Sequence, residues 1–345
     1  MAMTSEAAMQ IKPKAVALLS GGLDSTLAVK LAIDMGIEVT AINFTTPFCN
    51  CAKHQVGGCF SDAISTCKTL GIKLIHFVGA DDYLEILKHP KFGYGSQINP
   101  CIDCRIYFFR KARAFMSELG ADFLITGEVV GQRPMSQMKN TLRLIEKEAG
   151  CDRVILRPLS GRILPATGAE KDGVIDHWKL LDISGRSRKR QMEMAQSLNI
   201  TDYPCAAGGC MLTDPQYAIR MRDLLEHKPG FSLKDVARLK FGRHFRVDGI
   251  KIIVGRDERE NHFLESTCDL ANEALLEAVD FKGPSTLVES SEVTSMGTAA
   301  GLTARYGDGK HEAEVNIQVR CGDKVSVMTA VPLMHSEEEL LSIRL

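Results

Sequence analysis

The chain has 345 residues, of which 45% are hydrophobic and 25% charged, and its formal net charge is −1 at pH 7. This length exceeds one ordinary core and predicts two domains. The near-zero charge excludes a whole-chain field that attracts polyanions, so any nucleic-acid contact has to depend on local basic patches. Residues 1–11 lack the basic start and apolar core of a secretion signal, and no apolar run has membrane-spanning length. We expect a cytoplasmic protein with no membrane partner and a flexible tail at 1–11.

Strands and helices are predicted to alternate through the first half of the chain. The apolar run at 15–20 is typical of a buried parallel strand, and the segment from Leu23 to Gly36 is typical of a helix with a glycine C-cap. This alternation predicts an α/β fold, a doubly wound, mostly parallel sheet with helices on both faces. It continues with predicted strands at 38–44, 73–78, 122–127 and 153–159 and predicted helices at 61–71, 105–120 and 135–150.

The alternation stops near Pro204. The Lys-Pro-Gly sequence at 228–230 is a boundary signal. After it, short strand-like segments indicate a smaller α+β domain with a mostly antiparallel sheet. These segments lie at 244–247, 250–254, 285–289, 313–319 and 324–331. The sequence therefore predicts one domain at 12–203, a cysteine-bearing connector and helix at 204–230, and a second domain at 231–345.

The cysteines are unevenly distributed. There are 11 of them, an odd number, and no export signal accompanies them, which argues against a disulfide framework. Buried inert thiols have no reason to cluster, so the clustering favours metal or sulfur chemistry. The clusters are Cys49, Cys51 and Cys59, then Cys101 and Cys104, then Cys205 and Cys210. The isolated Cys67, Cys151, Cys268 and Cys321 are interpreted as small core residues.

The stretch L-L-S-G-G-L-D-S at 18–25 is the strongest candidate for a phosphate site. A strand ends, Gly21 and Gly22 allow the backbone to approach a ligand, and a helix begins whose free amides attract an anion. Hydroxyl donors at Ser20 and Ser25 suit phosphate, and Asp24 suits it if Mg²⁺ bridges the two. No Lys follows the glycines, which excludes a Walker A loop. A plain strand-to-helix turn with a capping Asp is the alternative.

This S-G-G-L-D-S segment resembles the PP-loop of the ATP-pyrophosphatase superfamily. Members of that superfamily bind ATP, adenylate an oxygen of the substrate and release pyrophosphate. The resemblance implies that the loop residues hold ATP and Mg²⁺, and that Asn43 and Phe44 lie near the adenine. It also places Thr126 and Gly127 in a second nucleotide loop, where a Glu follows the Gly although many relatives have His.

The stretch I-N-P-C-I-D-C-R resembles segments of tRNA 2-thiouridylases and of iron–sulfur-dependent tRNA thiolases. The second resemblance covers roughly 12–215 and includes a third cysteine, for which we favour Cys210 over Cys205. It implies a [4Fe–4S] cluster held by Cys101, Cys104 and Cys210, with one iron open to sulfide. A cysteine persulfide resolved by another thiol is the alternative, and unmetallated core thiols are a third interpretation.

The segment F-C-N-C-A-K-H-Q-V-G-G-C at 48–59 raises a separate question. Its Cys49, Cys51, His54 and Cys59 could form a tetrahedral Zn²⁺ site. The C-x-C spacing is tighter than usual for zinc, so a disordered substrate-gating loop with incidental thiols is equally compatible.

Two basic segments are candidates for nucleic-acid contact. The first, at 184–191, could face a phosphate backbone or simply be a solvated charge run. It contains Arg186, Arg188, Lys189 and Arg190. The second, at 237–246, interleaves basic residues with Phe and His, which suits RNA or, for the phenylalanines, a core. It contains Arg238, Lys240, Arg243 and Arg246. The region from about 230 to 335 resembles the NFACT-R type RNA-binding domain.

Together these resemblances imply an enzyme for ATP-dependent tRNA thiolation, with a PP-loop catalytic domain at 12–203 and an NFACT-R-like domain at 231–345. Asp24, Cys101, Cys104 and Cys210 would be catalytic. The implied partners are tRNA and a sulfur donor, either sulfide or a persulfide carrier, and the protein could be a homodimer. A PP-loop ligase or sulfur transferase for a small molecule, and a non-catalytic RNA- or ribosome-binding protein, are the alternatives.

Overall fold

The structure is a computed structural model. It describes residues 12–49, 59–200, 203, 209–292, 296–333 and 337–345. The predicted tail, Cys51, His54 and Cys205 therefore lie outside the described residues, as does the side chain of Cys59. The chain divides into two compact units, Met1–Met211 and Leu212–Leu345. Among the described residues, no helix has the length and apolarity to cross a membrane.

The first unit is built on a parallel sheet in the order β3-β2-β1-β4-β5. Its strands are β1 Lys14–Leu18, β2 Glu38–Thr45, β3 Lys73–Val78, β4 Phe123–Thr126 and β5 Ile155–Leu156. The central strand β1 has no polar face, because Ala15 and Ala17 pack into one core and Val16 and Leu18 into the other. This explains the continuous apolar run in the sequence.

Helices cover both faces of this sheet. They are α1 Leu23–Asp34, α2 Cys59–Leu70, α3 Asp81–Lys88, α4 Cys101–Glu118, α5 Lys139–Ala149, α6 Gly168–Lys171 and α7 Lys189–Ser197. On one face Leu27 of α1 packs in the same core as Ala195 of α7. On the other, Phe109 of α4 packs with Ile145 of α5. Because the strands are parallel, the loops that follow β1 and β4 lie at the same edge of the sheet.

The second unit contains an antiparallel sheet in the order β11-β10-β8-β9-β7-β6. Its strands are β6 Arg243–Val247, β7 Ile250–Val254, β8 Ala274–Ala278, β9 Thr286–Val288, β10 Val315–Cys321 and β11 Lys324–Ala330. Its helices are α8 Pro215–His227, α9 Leu233–Arg238, α10 Glu258–Thr267, α11 Met296–Arg305 and α12 Glu337–Ile343. The predicted fold class is confirmed for both parts of the chain.

Two details differ from the sequence prediction. Strand β8 was not predicted, because its sequence Ala-Leu-Leu-Glu-Ala consists of good helix formers, and pairing with β9 and β10 overrides that preference. Helix α8 was assigned to a connector. Its Asp223 instead forms ion pairs with Arg246 of β6 and Lys251 of β7, and these contacts make the helix part of the second unit.

Candidate active site

The loop between β1 and α1 has the geometry of an anion site. Gly21 has φ of +76°, and a Cβ there would lie 2.6 Å from the Cβ of Asp62, so only glycine fits. Gly22 is the N-cap of α1 and, among the described residues, no side chain caps this helix end. The first-turn amides are therefore available to a phosphate. The hydroxyl oxygens of Ser20 and Ser25 lie 3.1 Å apart beside them.

Asp24 lies in the first turn of α1, and its two carboxylate oxygens differ in their hydrogen bonding. Its Oδ2 accepts hydrogen bonds from Gln132 Nε2 at 2.7 Å and from Arg188 Nη2 at 2.8 Å. Its Oδ1 is buried and has no hydrogen-bond partner among the described residues. A buried carboxylate oxygen in that state carries a desolvation cost that a bound cation removes. The site therefore fits a phosphate whose charge is shared with Mg²⁺.

The predicted second nucleotide loop lies directly against this phosphate loop. A Cβ on Gly127 would lie 2.4 Å from the backbone nitrogen of Ser25, so the chain after Thr126 passes against the start of α1. The following Glu128 is buried and forms ion pairs with Arg157 at 3.1 Å and Arg105 at 3.6 Å. At this position the chain thus uses a carboxylate to hold two arginines.

The two residues predicted near adenine have structural contacts. Asn43 is fully buried, and its Nδ2 donates to the carbonyl oxygen of Leu19 at 2.8 Å, which holds the end of β1 in place. The ring of Phe44 packs on Phe108 and Phe77, with centroids 4.9 and 5.5 Å away. Contact of either residue with adenine stays a prediction.

Cys101 and Cys104 occupy the first turn of α4. Tyr83, on α3, interacts electrostatically with the Cys104 thiol. Burial raises the pKa of Cys104 to about 11, against the opposing effects of Tyr83 and Arg105. Burial likewise raises the pKa of Cys101, which Arg105 and Arg133 counteract. Without a cation or another partner at the site, both sulfurs are therefore held mainly as thiols.

Two further cysteines converge on the same tyrosine. Cys49 and Cys210 face each other in an isolated antiparallel bridge, next to a 2.8 Å hydrogen bond from Met211 N to Phe48 O. Tyr83 interacts electrostatically with the thiols of both. The sequence left Cys49 in either a Zn²⁺ site or a gating loop with incidental thiols, and the structure places it beside Cys210.

The positions of the described cysteines can be compared with the two predicted metal sites, one for iron–sulfur and one for zinc. No group of three or more Cys, His, Asp or Glu side chains within the described parts of the chain is already arranged to hold a metal ion. The thiols of Cys101, Cys104 and Cys210 provide the donor chemistry of an iron–sulfur site. The zinc site stays a prediction, because Cys51, His54 and the Cys59 side chain lie outside the described residues.

One arginine, Arg133, interacts electrostatically with both the phosphate site and the cysteine site. The pKa of Arg133 is lowered by burial and by the neighbouring charges of Arg105 and Arg188, whereas Cys101 and Asp24 raise it. The same guanidinium is thus electrostatically coupled to the phosphate loop and to the start of α4. Sequence reasoning missed this role of arginine, as it missed Tyr83 and Gln132, because their partners lie far away in the chain.

The basic segment at 184–191 divides into inward and outward residues. Arg188, predicted to contact RNA, turns inward to Asp24, and its side chain is only 23% exposed. Lys189 is 83% exposed, Arg186 is also exposed, and Arg190 is exposed while paired with Asp182 at 2.9 Å. Arg188 therefore belongs to the phosphate site in this structure, whereas the other three remain accessible to RNA.

The predicted RNA surface at 237–246 needs a larger correction. Arg238 is buried, with its side chain 1% exposed, and is bound to Glu273. Arg246 forms a two-pronged pair with Asp223 at 2.8 and 2.6 Å. Phe245 and His244 are also buried. The prediction of an RNA surface was wrong for Arg238 and Arg246. A charged residue beside aromatics is typical of a surface, whereas these arginines neutralise buried carboxylates.

Two residues of that segment keep some exposure. Lys240 and Arg243 are half-buried. The guanidinium of Arg243 lies 4.4 Å from the centre of the Tyr306 ring and donates to the carbonyl of Gly255 at 3.2 Å. Their contact with RNA stays a prediction.

The geometry defines a PP-loop type α/β unit joined to a second unit of different architecture. Residues 10–190 match the family described as thiamine biosynthesis protein (ThiI), and residues 242–340 match the NFACT protein RNA binding domain. The first match covers more than half of the chain. This protein belongs to the ThiI family.

Curated relatives cover part of the chain only. A probable tRNA sulfurtransferase of Ureaplasma urealyticum is 32% identical over 43% of this chain and 37% of its own length. The tRNA-specific 2-thiouridylase MnmA of Methylobacterium nodulans is 27% identical over 59% of this chain and 53% of its own. The chain thus spans about a third to a half of the length of these relatives.

A solved structure of a 4-thiouridine synthetase–RNA complex with bound ATP is also similar. It is 22% identical over 66% of this chain and 51% of its own, with a TM-score of 0.36. A likeness this partial supports no functional conclusion.

Proposed function

We propose that this protein catalyses the ATP-dependent thiolation of tRNA. The observation that carries the proposal is the presence, in one compact unit, of a phosphate site at Asp24 and a cysteine site at Cys101 and Cys104. Arg133 is electrostatically coupled to both sites. A simple ATP-binding protein has no need of the cysteines, and a simple thiol protein has no need of the phosphate loop.

In the first step, a carbonyl oxygen of a uridine or cytidine attacks the α-phosphorus of ATP. An oxygen–phosphorus bond forms, the bond to pyrophosphate breaks, and the nucleobase carries AMP. The first-turn amides of α1 and the hydroxyls of Ser20 and Ser25 bind the departing pyrophosphate. Asp24 would hold Mg²⁺, which neutralises charge that develops on the phosphates. Arg133 adds a positive charge near these phosphates.

In the second step, sulfur replaces the adenylated oxygen on the same carbon, and AMP leaves. Cys101, Cys104 and Cys210 would hold the sulfur, and Tyr83 interacts electrostatically with Cys104 and Cys210. With a [4Fe–4S] cluster bound to these three thiolates, an open iron would supply a binding position for sulfide. In the alternative form a cysteine carries the sulfur as a persulfide. The sulfur donor and any homodimer stay predictions.

The tRNA would contact both units. The second unit matches an RNA-binding domain, and in the first unit Arg186, Lys189 and Arg190 present positive charge to solvent. Phosphate contacts of this kind supply affinity that is not specific for sequence and that falls as salt rises.

The test is mass spectrometry of tRNA nucleosides from a strain that lacks the gene. We expect one thiolated nucleoside to disappear, to return with the wild-type gene, and to stay absent with Asp24→Ala. Asp34→Ala, which changes a surface carboxylate of the same helix paired with Lys30, is the matched control and restores the nucleoside. An unchanged nucleoside profile in the deletion strain would contradict the proposal and favour a small-molecule substrate.

A further inference from the structure

The backbone around Cys49 and Cys210 sets the distance between these residues. The hydrogen bond from Met211 N to Phe48 O joins the residues that flank the bridge, and the amide of Cys49 donates instead to Thr46 O at 3.2 Å. Cys49 and Cys210 are therefore a non-hydrogen-bonded antiparallel pair, for which the Cα atoms lie about 4.5 Å apart. A disulfide requires Cα atoms about 4.4–6.8 Å apart, so the backbone spacing of this pair meets the distance requirement for one.

The thiol of Cys49 is also held in place. Its Sγ accepts from the amide of Thr46 at 3.3 Å and lies 3.6 Å from the hydroxyl oxygen of the same residue. Phe48, beside it, is fully buried, which fixes the position of the turn that precedes the bridge. Cys49 thus has an oriented sulfur beside the cysteine that sequence resemblance places in sulfur delivery.

We propose that Cys49 is the resolving thiol of the sulfur site and that it forms a disulfide with Cys210 when sulfur is transferred. This inference rests on the proposed thiolation and on its persulfide form. It assigns Cys49 a catalytic role in place of the zinc site that its sequence neighbours suggested.

The proposed transfer conserves atoms and electrons. The terminal sulfur of a Cys210 persulfide attacks the adenylated carbon, the carbon–oxygen bond breaks, and AMP leaves with the bonding pair. The Cys49 thiol loses its proton to solvent and attacks the Cys210 Sγ, which breaks the bond to the transferred sulfur. The Cys49 sulfur is oxidised by one electron and the transferred sulfur, which remains on the nucleobase, is reduced by one, while the Cys210 sulfur passes from the persulfide bond to the disulfide bond without a change of oxidation state. A dithiol reductant then restores the two thiols.

The first test needs no enzymatic activity. The purified, metal-free full chain is oxidised with diamide, digested and examined for linked peptides by mass spectrometry. We expect a Cys49–Cys210 link in the wild type and in Cys321→Ser, and its loss in Cys49→Ser. Linkage of Cys210 to Cys101, Cys104 or Cys205, without a Cys49–Cys210 link, would overturn the inference.

The second test is a single turnover with protein loaded with persulfide by polysulfide, in the presence of ATP and tRNA. The wild type should release thiolated tRNA and form the Cys49–Cys210 disulfide. Cys49→Ser should release product at least about 100-fold more slowly and accumulate a protein–tRNA adduct that dithiothreitol cleaves. Wild-type release by Cys49→Ser would overturn this inference alone. No thiolated tRNA from the wild type would overturn the proposed function, and with it the role of the pair.

Discussion

The phosphate site and the cysteine site of the first unit are assembled in opposite ways. The phosphate site is centred on the consecutive residues from Ser20 to Ser25, with Gln132 and Arg188 bonded to Asp24, and its geometry is fixed by Gly21 and by the end of a helix. The cysteine site gathers Cys49, Cys104 and Cys210 from separate segments around the buried Tyr83. The first is ready to bind an anion, whereas among the described residues the thiols of the second are not grouped as metal ligands. A preformed loop suits binding and activation of ATP, and thiols gathered from several segments suit sulfur chemistry.

Replacing Asp24 should cause the largest loss, because it removes the carboxylate that would hold Mg²⁺ at the phosphates. We expect Asp24→Ala to lower tRNA-dependent AMP formation at least about 1,000-fold, or about 4 kcal/mol in the barrier. The measurement is release of labelled AMP from ATP by the purified full chain. Asp34→Ala is the control, and AMP formation by Asp24→Ala at the wild-type rate would show that the loop does not activate ATP.

Replacing cysteines should separate the two sites. Cys101→Ser or Cys104→Ser should lower thiolation at least about 100-fold while the rate of the first turnover of pyrophosphate release with tRNA stays within about threefold of the wild type. Thiolated nucleosides and pyrophosphate are measured in the same single-turnover reaction. Cys321→Ser, in the second unit, is the control. An equal loss of both products would mean that the cysteines support ATP activation itself, and the division into two sites would fail.

Two glycines with positive φ can test whether the phosphate loop is packed closely against its surroundings. Gly21 has φ of +76° and contacts Asp62, whereas Gly36 has φ of +85° and a Cβ added there would meet no described atom within 4 Å. Gly21→Ala should destabilise the protein by about 2–3 kcal/mol and Gly36→Ala by about 1 kcal/mol, since only the first adds a backbone clash. Thermal unfolding measures both, and equal effects would contradict the close approach.

The smallest expected effect separates Arg188 from its basic neighbours. Because Arg188 donates to Asp24, Arg188→Gln should raise the KM for ATP about tenfold, or about 1.4 kcal/mol, and leave tRNA affinity nearly unchanged. Arg186→Gln, at an exposed position, should weaken tRNA binding and leave the KM for ATP unchanged. Filter binding and steady-state kinetics measure the two quantities. Weaker tRNA binding by Arg188→Gln with an unchanged KM for ATP would contradict this assignment and place Arg188 on the RNA-binding surface.

The two sites also differ in how far the sequence predicts them. The parallel sheet and the phosphate loop were predictable, since apolar runs and S-G-G-L-D-S depend on neighbouring residues. The association of Cys49 with Cys210 was not, because it depends on a bridge between distant segments. The burial of Arg238 was missed for the same reason, since its partner Glu273 is remote in the chain. A site built from consecutive residues can therefore be predicted from a sequence motif, whereas a contact between distant segments cannot.

The central claim is that the two sites act in succession on one nucleobase carbonyl. The most direct test uses tRNA in which the uridine and cytidine carbonyl oxygens carry ¹⁸O, together with unlabelled ATP and a sulfur donor. The account predicts that each thiolation transfers one ¹⁸O into the phosphate of AMP and none into pyrophosphate, as read by mass spectrometry. Thiolated tRNA accompanied by AMP without ¹⁸O would contradict it, because the oxygen would then leave without having been adenylated.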